Sequence, residues 1–595
     1  MTDSAPWHDT VDLLVLGTGA AGLSAATTAA AKGLSTLVLE KTEYLGGTTA
    51  YSAGTCWVPG HRYQRAAGQV DEQRDASRYL DLVVGDKAPR EMRETYLARA
   101  PEMIDWFHDL GVRFWHSQTV VDYHPEIEGA GVGRALEPET FDGRRLGIDD
   151  FRRVRRPVPE FALFGGTLMV RRAEVTQLLK LFRWSPRAAL LALRLGVRWF
   201  FDRITYPRGT RLAMGNALVA NLFHTLKTRG GEVLFNSTAK ELLVENGAVI
   251  GAVIETAGQE RRIRVRRGVV LAGGGFSASR SWREQHLPTP TPQFTRAAES
   301  ATGDSIALGL AAGGALGPDH DDNGFWFPSS IGHRKDGSLV VFPHIWDRAK
   351  PGIVAVTASG RRFVDESVSY HRFVRAMYRT QATDEAVPAW LIIDSRSLYE
   401  YGLGMIRPHT PAAFLRKYVT GGYIHRADSL HALAKRIGID PDGLAQTVRT
   451  NNRAALTGVD EEFGKGSSPF GHQYGDPRHT PNVNLGPIEK GPFYALPLVP
   501  TPLGTALGLR IDESAHVLDA HGDVVPGLYA AGNDADSPMA AEYPGAGGQV
   551  GAGMTFGYIA AMDAARRESA DPRDDAPRDL ARPRQGSRTR ATVDR

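Results

Sequence analysis

The first clear pattern in the chain is a short apolar run at 13–16, followed at once by Gly17-x-Gly19-x-x-Gly22 and an Ala-rich stretch up to Lys32. A run this short, bounded by glycine, predicts a buried parallel strand; the stretch after it predicts a helix that Gly33 ends. A second strand is expected at 35–39, closing on Glu40. Strand patterns recur at 230–236, 248–255, 261–265, 268–276 and 528–531, with a hairpin at 509–511 and 516–518. Helical periodicity occupies 90–110 and the residues leading to Thr228, and the small and apolar residues of 554–565 read as a last helix.

Pro288, Pro290 and Pro292 mark a change of character, and a mixed segment runs from there to about Leu485. Within it, 354–373 reads as an apolar strand, a turn at Ser359-Gly360 and a charged strand reaching Glu366, then Tyr370. The expected fold is α/β: a Rossmann-like dinucleotide-binding domain with a parallel sheet (8–286 and 486–566), interrupted by an inserted α+β domain (287–485). At 491–494 the chain is expected back in the first domain, and 567–595, almost without large apolar residues, is expected to be disordered.

Composition narrows the function. A chain of 595 residues with 42% hydrophobic content can bury a large core, and a net charge of +3 is too small to imply nucleic-acid binding. One cysteine, Cys56, excludes an intramolecular disulfide framework and a cysteine zinc site, and suits a reducing cytoplasm. The first residues, MTDSAPWHDT, lack the basic and apolar regions of an export signal. No His/Asp/Glu set has metal-ligand spacing.

Three glycine-rich stretches carry the chemistry. The first is the turn at Gly17, with an acidic residue about 20 residues on, where a ribose-binding carboxylate belongs. The second, 40–60, combines Gly46, Gly47 and Gly54 with Thr48, Thr49 and Ser52, hydroxyls suited to a pyrophosphate. The third contains Gly545, Gly547, Gly548, Gly551 and Gly553, where a backbone lying against a flat ring would need residues without Cβ. Tyr543 sits in that turn, and Tyr123 falls in a proline-containing connection. In 187–203, Arg187, Arg194 and Arg198 share one helical face and large apolar residues cover much of the rest. This helix packs on the body or forms a lid; the alternative is an interfacial helix in peripheral contact with a membrane.

In this order the three stretches resemble the succinate dehydrogenase and fumarate reductase flavoproteins. The resemblance implies FAD as cofactor. It places Gly17, Gly19, Ala20 and Gly22 on the pyrophosphate, Glu40 with Lys41 at the ribose, and Gly47, Thr48, Thr49, Ser52 and Gly54 along the diphosphate and flavin. It puts Ala239 on the adenine side, and Gly274, Asn533, Gly548, Gln549 and Val550 along the rest of the cofactor. Within that superfamily DYHPE (122–126), RFVDESVSY (362–370) and AEYPGAGG (541–548) are similar to three segments of the 3-ketosteroid Δ1-dehydrogenases. That likeness implies a steroid substrate, with Tyr543 and the Gly547 N–H holding the C3 ketone, Tyr370 taking a proton from C2, Tyr123 relaying it, and the C1 hydride passing to flavin. Reoxidation needs an external acceptor such as a quinone. His124 and His371 stand as alternative bases. Desaturation at C4–C5 is one rival reading; a fumarate-type reductase, with Arg362 or Arg372 in place of Tyr370, is another.

Overall fold

The computed structural model describes residues 6–179 and 185–567; the expected disorder of 568–595 lies outside them. The nucleotide-side sheet contains β1 (Asp9–Leu16), β2 (Thr36–Glu40), β3 (Glu232–Phe235), β4 (Ser237–Glu245), β5 (Ala248–Thr256) and β6 (Gln259–Leu271). The second sheet contains β7 (Gly324–His333), β8 (Leu339–Pro343), β9 (Ile353–Val356), β10 (Ala389–Asp394), β11 (His425–Ala427) and β12 (Phe493–Thr505). The chain then adds β13 (His516–Leu518) and β14 (Val524–Ala530) to the first sheet, whose order is β13-β14-β6-β1-β2-β3, with β5 and β4 on the flank of β6. From β14 to β3 the neighbours are parallel, with Val15 level with both Val38 and Val270, and Val270 level with Tyr529.

Helix α1 (Ala20–Ala31) follows β1 and is buried almost throughout, which is why, apart from Leu23, it is built from Ala, Gly, Ser and Thr. Further helices are α2 (Arg90–Asp109), α3 (Pro186–Thr205), α4 (Met214–Thr228), α5 (Tyr370–Gln381) and α6 (Gly548–Arg566). Helix α6 packs along α1: a Cβ on Gly557 would come within 2.4 Å of the Ala21 carbonyl oxygen. The apolar faces of α1, α2, α4, α5 and α6 and of the parallel strands form one continuous core, whereas α3 packs through Leu195 into a small separate cluster with Leu168 and Val170.

Three expectations are corrected. The patterns at 261–265 and 268–276 belong to one strand, β6, whose first half pairs with β5 and whose second half pairs with β14. The charged strand before Glu366 is not a strand: a single bridge, Val356 to Arg362, follows the turn, and α5 begins at Tyr370. Residues 493–505 do not return to the first sheet. They form β12, which pairs with β10 and β11 through its first half and with β7 through its second. Pro497, Pro500 and Pro502 disguise this strand, because proline removes ladder donors and argues against a central strand.

His516 on β13 clamps the edge of the first sheet to α6, with Nδ1 2.8 Å from Asp512 Oδ2 and Nε2 2.9 Å from Asp563 Oδ2. Burial opposes its charge, but the two carboxylates outweigh burial and raise its pKa to about 9. The unfolded value is near 6.5, so the clamp contributes fully below that pH and is lost as pH rises through about 9. His516→Gln should lower stability at pH 6 by on the order of 1–2 kcal/mol, discounted for partial solvation. Thermal melts from pH 6 to pH 10 test this: the gap from the parent protein should close toward the alkaline end.

Candidate active site

The C-terminal ends of β1, β2, β6 and β14 open into one crevice, the position where α/β sheets take dinucleotides. A continuous cavity of about 1650 Å³ runs from it to the second sheet. Gly17, Gly19, Ala20, Glu40, Lys41, Gly47, Thr48, Thr49, Ser52, Gly54, Ala239, Gly274, Asn533, Gln549 and Val550 all line this cavity. Glu40 is buried at the end of β2, where its carboxylate accepts from Thr18 and, at 2.8 Å, from the Thr42 hydroxyl. Lys41 is held by Asp304 at 2.6 Å.

The glycines of the first turn have different reasons to be glycine. A Cβ on Gly17 would lie 2.3 Å from the Ala272 oxygen, and one on Gly22 would lie 2.1 Å from the Gly17 oxygen. A Cβ on Gly19 would meet only the Thr49 hydroxyl, at 3.8 Å. Gly19 therefore leaves room for a ligand over the N-terminus of α1, whose Ala20 N–H is held by the Thr49 hydroxyl at 3.0 Å, whereas Gly22 is kept small by packing and does not line the cavity. This open turn, the carboxylate at the end of β2 and a second helix N-terminus at α6 fit FAD.

The third glycine stretch departs from its reading. Helix α6 starts at Gly548, not at Met554, so Gly551 and Gly553 are helical. A Cβ on Gly545 would strike the Trp57 ring at 2.4 Å, one on Gly547 the Thr55 oxygen at 2.2 Å, and one on Gly551 the Tyr96 hydroxyl at 2.7 Å. These positions are small because the turn packs against Thr55, the short strand Cys56–Trp57 and Tyr96, not because a flat ring lies on each of them. Gly547, at φ +95°, caps α6 and lines the cavity; Gly548 does not line it.

That packing brings Tyr123, Tyr370 and Tyr543 together. The Tyr123 N–H donates to the Pro544 oxygen at 2.9 Å, and the Tyr79 hydroxyl donates to the same oxygen at 2.6 Å. Asp122 fixes the Tyr123 loop, accepting from Trp57 Nε1 and Arg134 Nη1, each at 2.7 Å. Tyr370 is the first residue of α5, capped by Ser369. The Tyr123 and Tyr370 hydroxyl oxygens are 2.9 Å apart, and the ring centroids of the three tyrosines lie 5.4–5.7 Å from one another. Gln549 Nε2 donates to the Tyr543 hydroxyl at 3.5 Å, and its Oε1 accepts from Asn533 Nδ2 at 3.4 Å. Burial pushes Tyr370 well above the usual phenol range and raises Tyr543 as well, so both stand as neutral phenols.

The remaining candidates fall outside the cavity lining. His124 and His371 are buried, and desolvation holds His124 at about 4 and His371 well below the ordinary imidazole value. His371 packs 5.8 Å from the Tyr543 ring. Arg362 forks onto Glu366 at 2.9 Å and onto Asp460 at 2.9–3.0 Å, and Arg372 pairs with Glu126 at 2.6 Å. The Arg and Glu of the second motif thus serve as scaffold beneath Tyr370.

Sequence reading missed several residues. Phe325 and Phe327, two apart on β7, pack on Tyr543 and Tyr370 with centroids at 5.4 and 4.5 Å, and their i, i+2 spacing was the available signal. Asp534 accepts from the Gly275 N–H at 2.8 Å and the Ser305 hydroxyl at 2.5 Å, and so joins the loops after β6 and β14. No sequence pattern announces that contact.

The family described as FAD binding domain matches residues 12–550. A 3-oxosteroid 1-dehydrogenase of Mycolicibacterium smegmatis is 36% identical, over 94% of this chain and 98% of its own. A 4-oxocyclohex-2-ene-1-carboxylate 5-dehydrogenase of Sinomonas cyclohexanicum is 36% identical, over 94% of each chain. The crystal structure of the 3-ketosteroid Δ1-dehydrogenase of Sterolibacterium denitrificans in complex with 1,4-androstadiene-3,17-dione is similar at a TM-score of 0.85 and 33% identity, covering 94% of this chain and 99% of that one. A likeness that runs through both sheets and spans all three tyrosine segments makes this protein a member of the 3-ketosteroid Δ1-dehydrogenase family of FAD-dependent oxidoreductases.

Proposed function

We propose that the protein removes two hydrogens from ring A of a 3-ketosteroid, a proton from C2 and a hydride from C1. The observation that carries this is the meeting of three buried tyrosines on the cavity that runs to the nucleotide crevice. FAD, when bound, supplies the hydride acceptor, and an external acceptor, a quinone in this reading, takes up the electrons. Tyr543 and the Gly547 N–H hold the ketone oxygen. Donors aimed at a developing enolate are each worth about a hundred- to a thousandfold, and a neutral Tyr543 can donate. Tyr370 accepts the C2 proton. As a neutral phenol it gives up its own proton as it gains that one: the proton passes to Tyr123, 2.9 Å away, and Tyr123 releases its own to water in the cavity it lines. The positive end of α5 favours charge developing on Tyr370.

Steroid is preferred over a single-ring ketone because the cavity continues beyond the tyrosines along Leu163, Leu168, Val170, Phe342, Trp346 and Met405. The fumarate-type reading loses support because Arg362 and Arg372 are engaged elsewhere.

We also propose peripheral contact with a lipid surface through α3. Leu190, Leu193, Val197, Phe200 and Ile204 form a stripe at helical spacing and are 47–71% exposed. The opposite face supplies Leu195 to the cavity wall, and exposed Phe164, also in that wall, lies 4.8 Å from the Trp199 ring. Arg187 and Arg194 are exposed, whereas Arg198 turns inward to Asp142 at 3.2 Å, so the expected three-arginine face reduces to two. Among the described residues no helix is long and apolar enough to cross a membrane.

Tyr370→Phe should leave the protein yellow and slow anaerobic flavin bleaching by a ring-A-saturated ketosteroid by about a hundred- to ten-thousandfold. Near-normal bleaching would remove Tyr370 from the reaction, and product mass spectra on matched substrates separate C1–C2 from C4–C5 loss. In flotation with anionic vesicles, Phe200→Ser with Leu193→Ser should lower the bound fraction by about tenfold; unchanged binding would discard the lipid contact.

A further inference from the structure

We infer that Arg375, outside the cavity, is a positioning residue that sets the spacing of Tyr370 and Tyr543. The inference rests on the roles given to those tyrosines above. Arg375 lies on α5, five residues after Tyr370. Its Nη2 donates to the Ala541 oxygen at 2.9 Å and its Nη1 to Glu542 Oε1 at 2.6 Å, directly before Tyr543 in the chain. Its Nε donates to Asp322 Oδ2 at 2.8 Å, at the entrance to β7, the strand that carries Phe325 and Phe327. One planar fork therefore ties together the element carrying the proposed base, the turn carrying the proposed ketone donor and the strand that packs against both.

The fork is itself fixed. Lys87 holds Glu542 Oε1 at 2.8 Å, and Trp326 Nε1 donates to Asp322 Oδ2 at 3.1 Å. The guanidinium is mostly buried, and Asp322 and Glu542 together outweigh the cost of burial and keep it charged. None of the three side chains lines the cavity, so they act only through the tyrosines. The reaction needs the acceptor of the C2 proton and the donor to the ketone oxygen at one fixed separation, and a displacement of about 1 Å costs about a hundredfold. A lysine keeps the charge but lacks the fork, so it cannot hold Ala541, Glu542 and Asp322 at once.

Arg375→Lys and, separately, Glu542→Gln test the inference in the flavin-loaded protein. Melting temperature, bound FAD and the KM for a ketosteroid should stay close to the parent values, while kcat per bound flavin falls by about tenfold or more. In a Tyr543→Phe background the Arg375→Lys loss should shrink to less than about twofold, because the donor it positions is gone. Full multiplication of the two losses, or an unchanged kcat in both Arg375→Lys and Glu542→Gln, would overturn the inference. If Tyr370→Phe and Tyr543→Phe were themselves near normal, the underlying tyrosine assignment would fail instead.

Discussion

The packing of the turn at 543–547 against Trp57 is the contact that the rest of the site depends on. The turn can approach that ring only because Gly545 has no side chain, and it is held by a backbone hydrogen bond from Trp57 N–H to the Gly547 oxygen at 3.2 Å. From this one contact follow the start of α6, the anchoring of the Tyr123 loop on Pro544 and the direction from which Tyr543 enters the cavity. Trp57 is also fixed from behind, by Asp122 and by stacking on Tyr96 with ring planes 6° apart. A side chain at Gly545 would therefore disturb cofactor and substrate regions together.

Charge is distributed in layers around this turn. Tyr370 and Tyr543 stand among apolar rings, and burial raises both phenols so that they remain protonated. In so dry a place a donor acts strongly on charge that develops beside it. The fixed ions stand one layer out: Asp122 with Arg134, Glu366 with Arg362 and Lys465, and Asp322 and Glu542 with Arg375. Each is matched within its own network, and Glu366 is held at about 2 despite complete burial because Arg362 and Lys465 face it. Such pairs fix geometry at the cost of desolvation, which suits a reaction that depends on orientation.

The two ends of the cavity follow different rules. At the nucleotide end, main-chain N–H groups and hydroxyls dominate, supplied by loops at the ends of parallel strands. At the far end apolar side chains such as Leu163, Val170 and Phe342 share the wall with Glu160, Asp347 and Lys350, and the wall reaches α3, whose outer stripe faces solvent. A stripe of that composition does not contribute to the stability of the described chain, since apolar burial stabilises only what leaves water.

Local order was readable from the chain alone. The β1–Gly17–α1–β2–Glu40 unit was legible because it closes within some 30 residues and each element's pattern is set by its near neighbours. The tyrosine motifs could be named from their resemblance. Their meeting could not be derived from residue pattern, because Tyr123 and Tyr370 are 247 positions apart. What filled the space beside Gly545 and Gly551 was equally hidden: glycine reports that something is close, not whether it is ligand, ring or backbone. Strand β12 was masked by its prolines, and whether the apolar stripe of α3 faced the core or water could not be told from a periodicity that is the same in both cases. Short-range periodicity and turn chemistry fixed the elements and the cofactor fingerprint; long-range packing alone decided which faces, charges and hydroxyls came together, because those contacts join residues whose separation in sequence leaves no local trace.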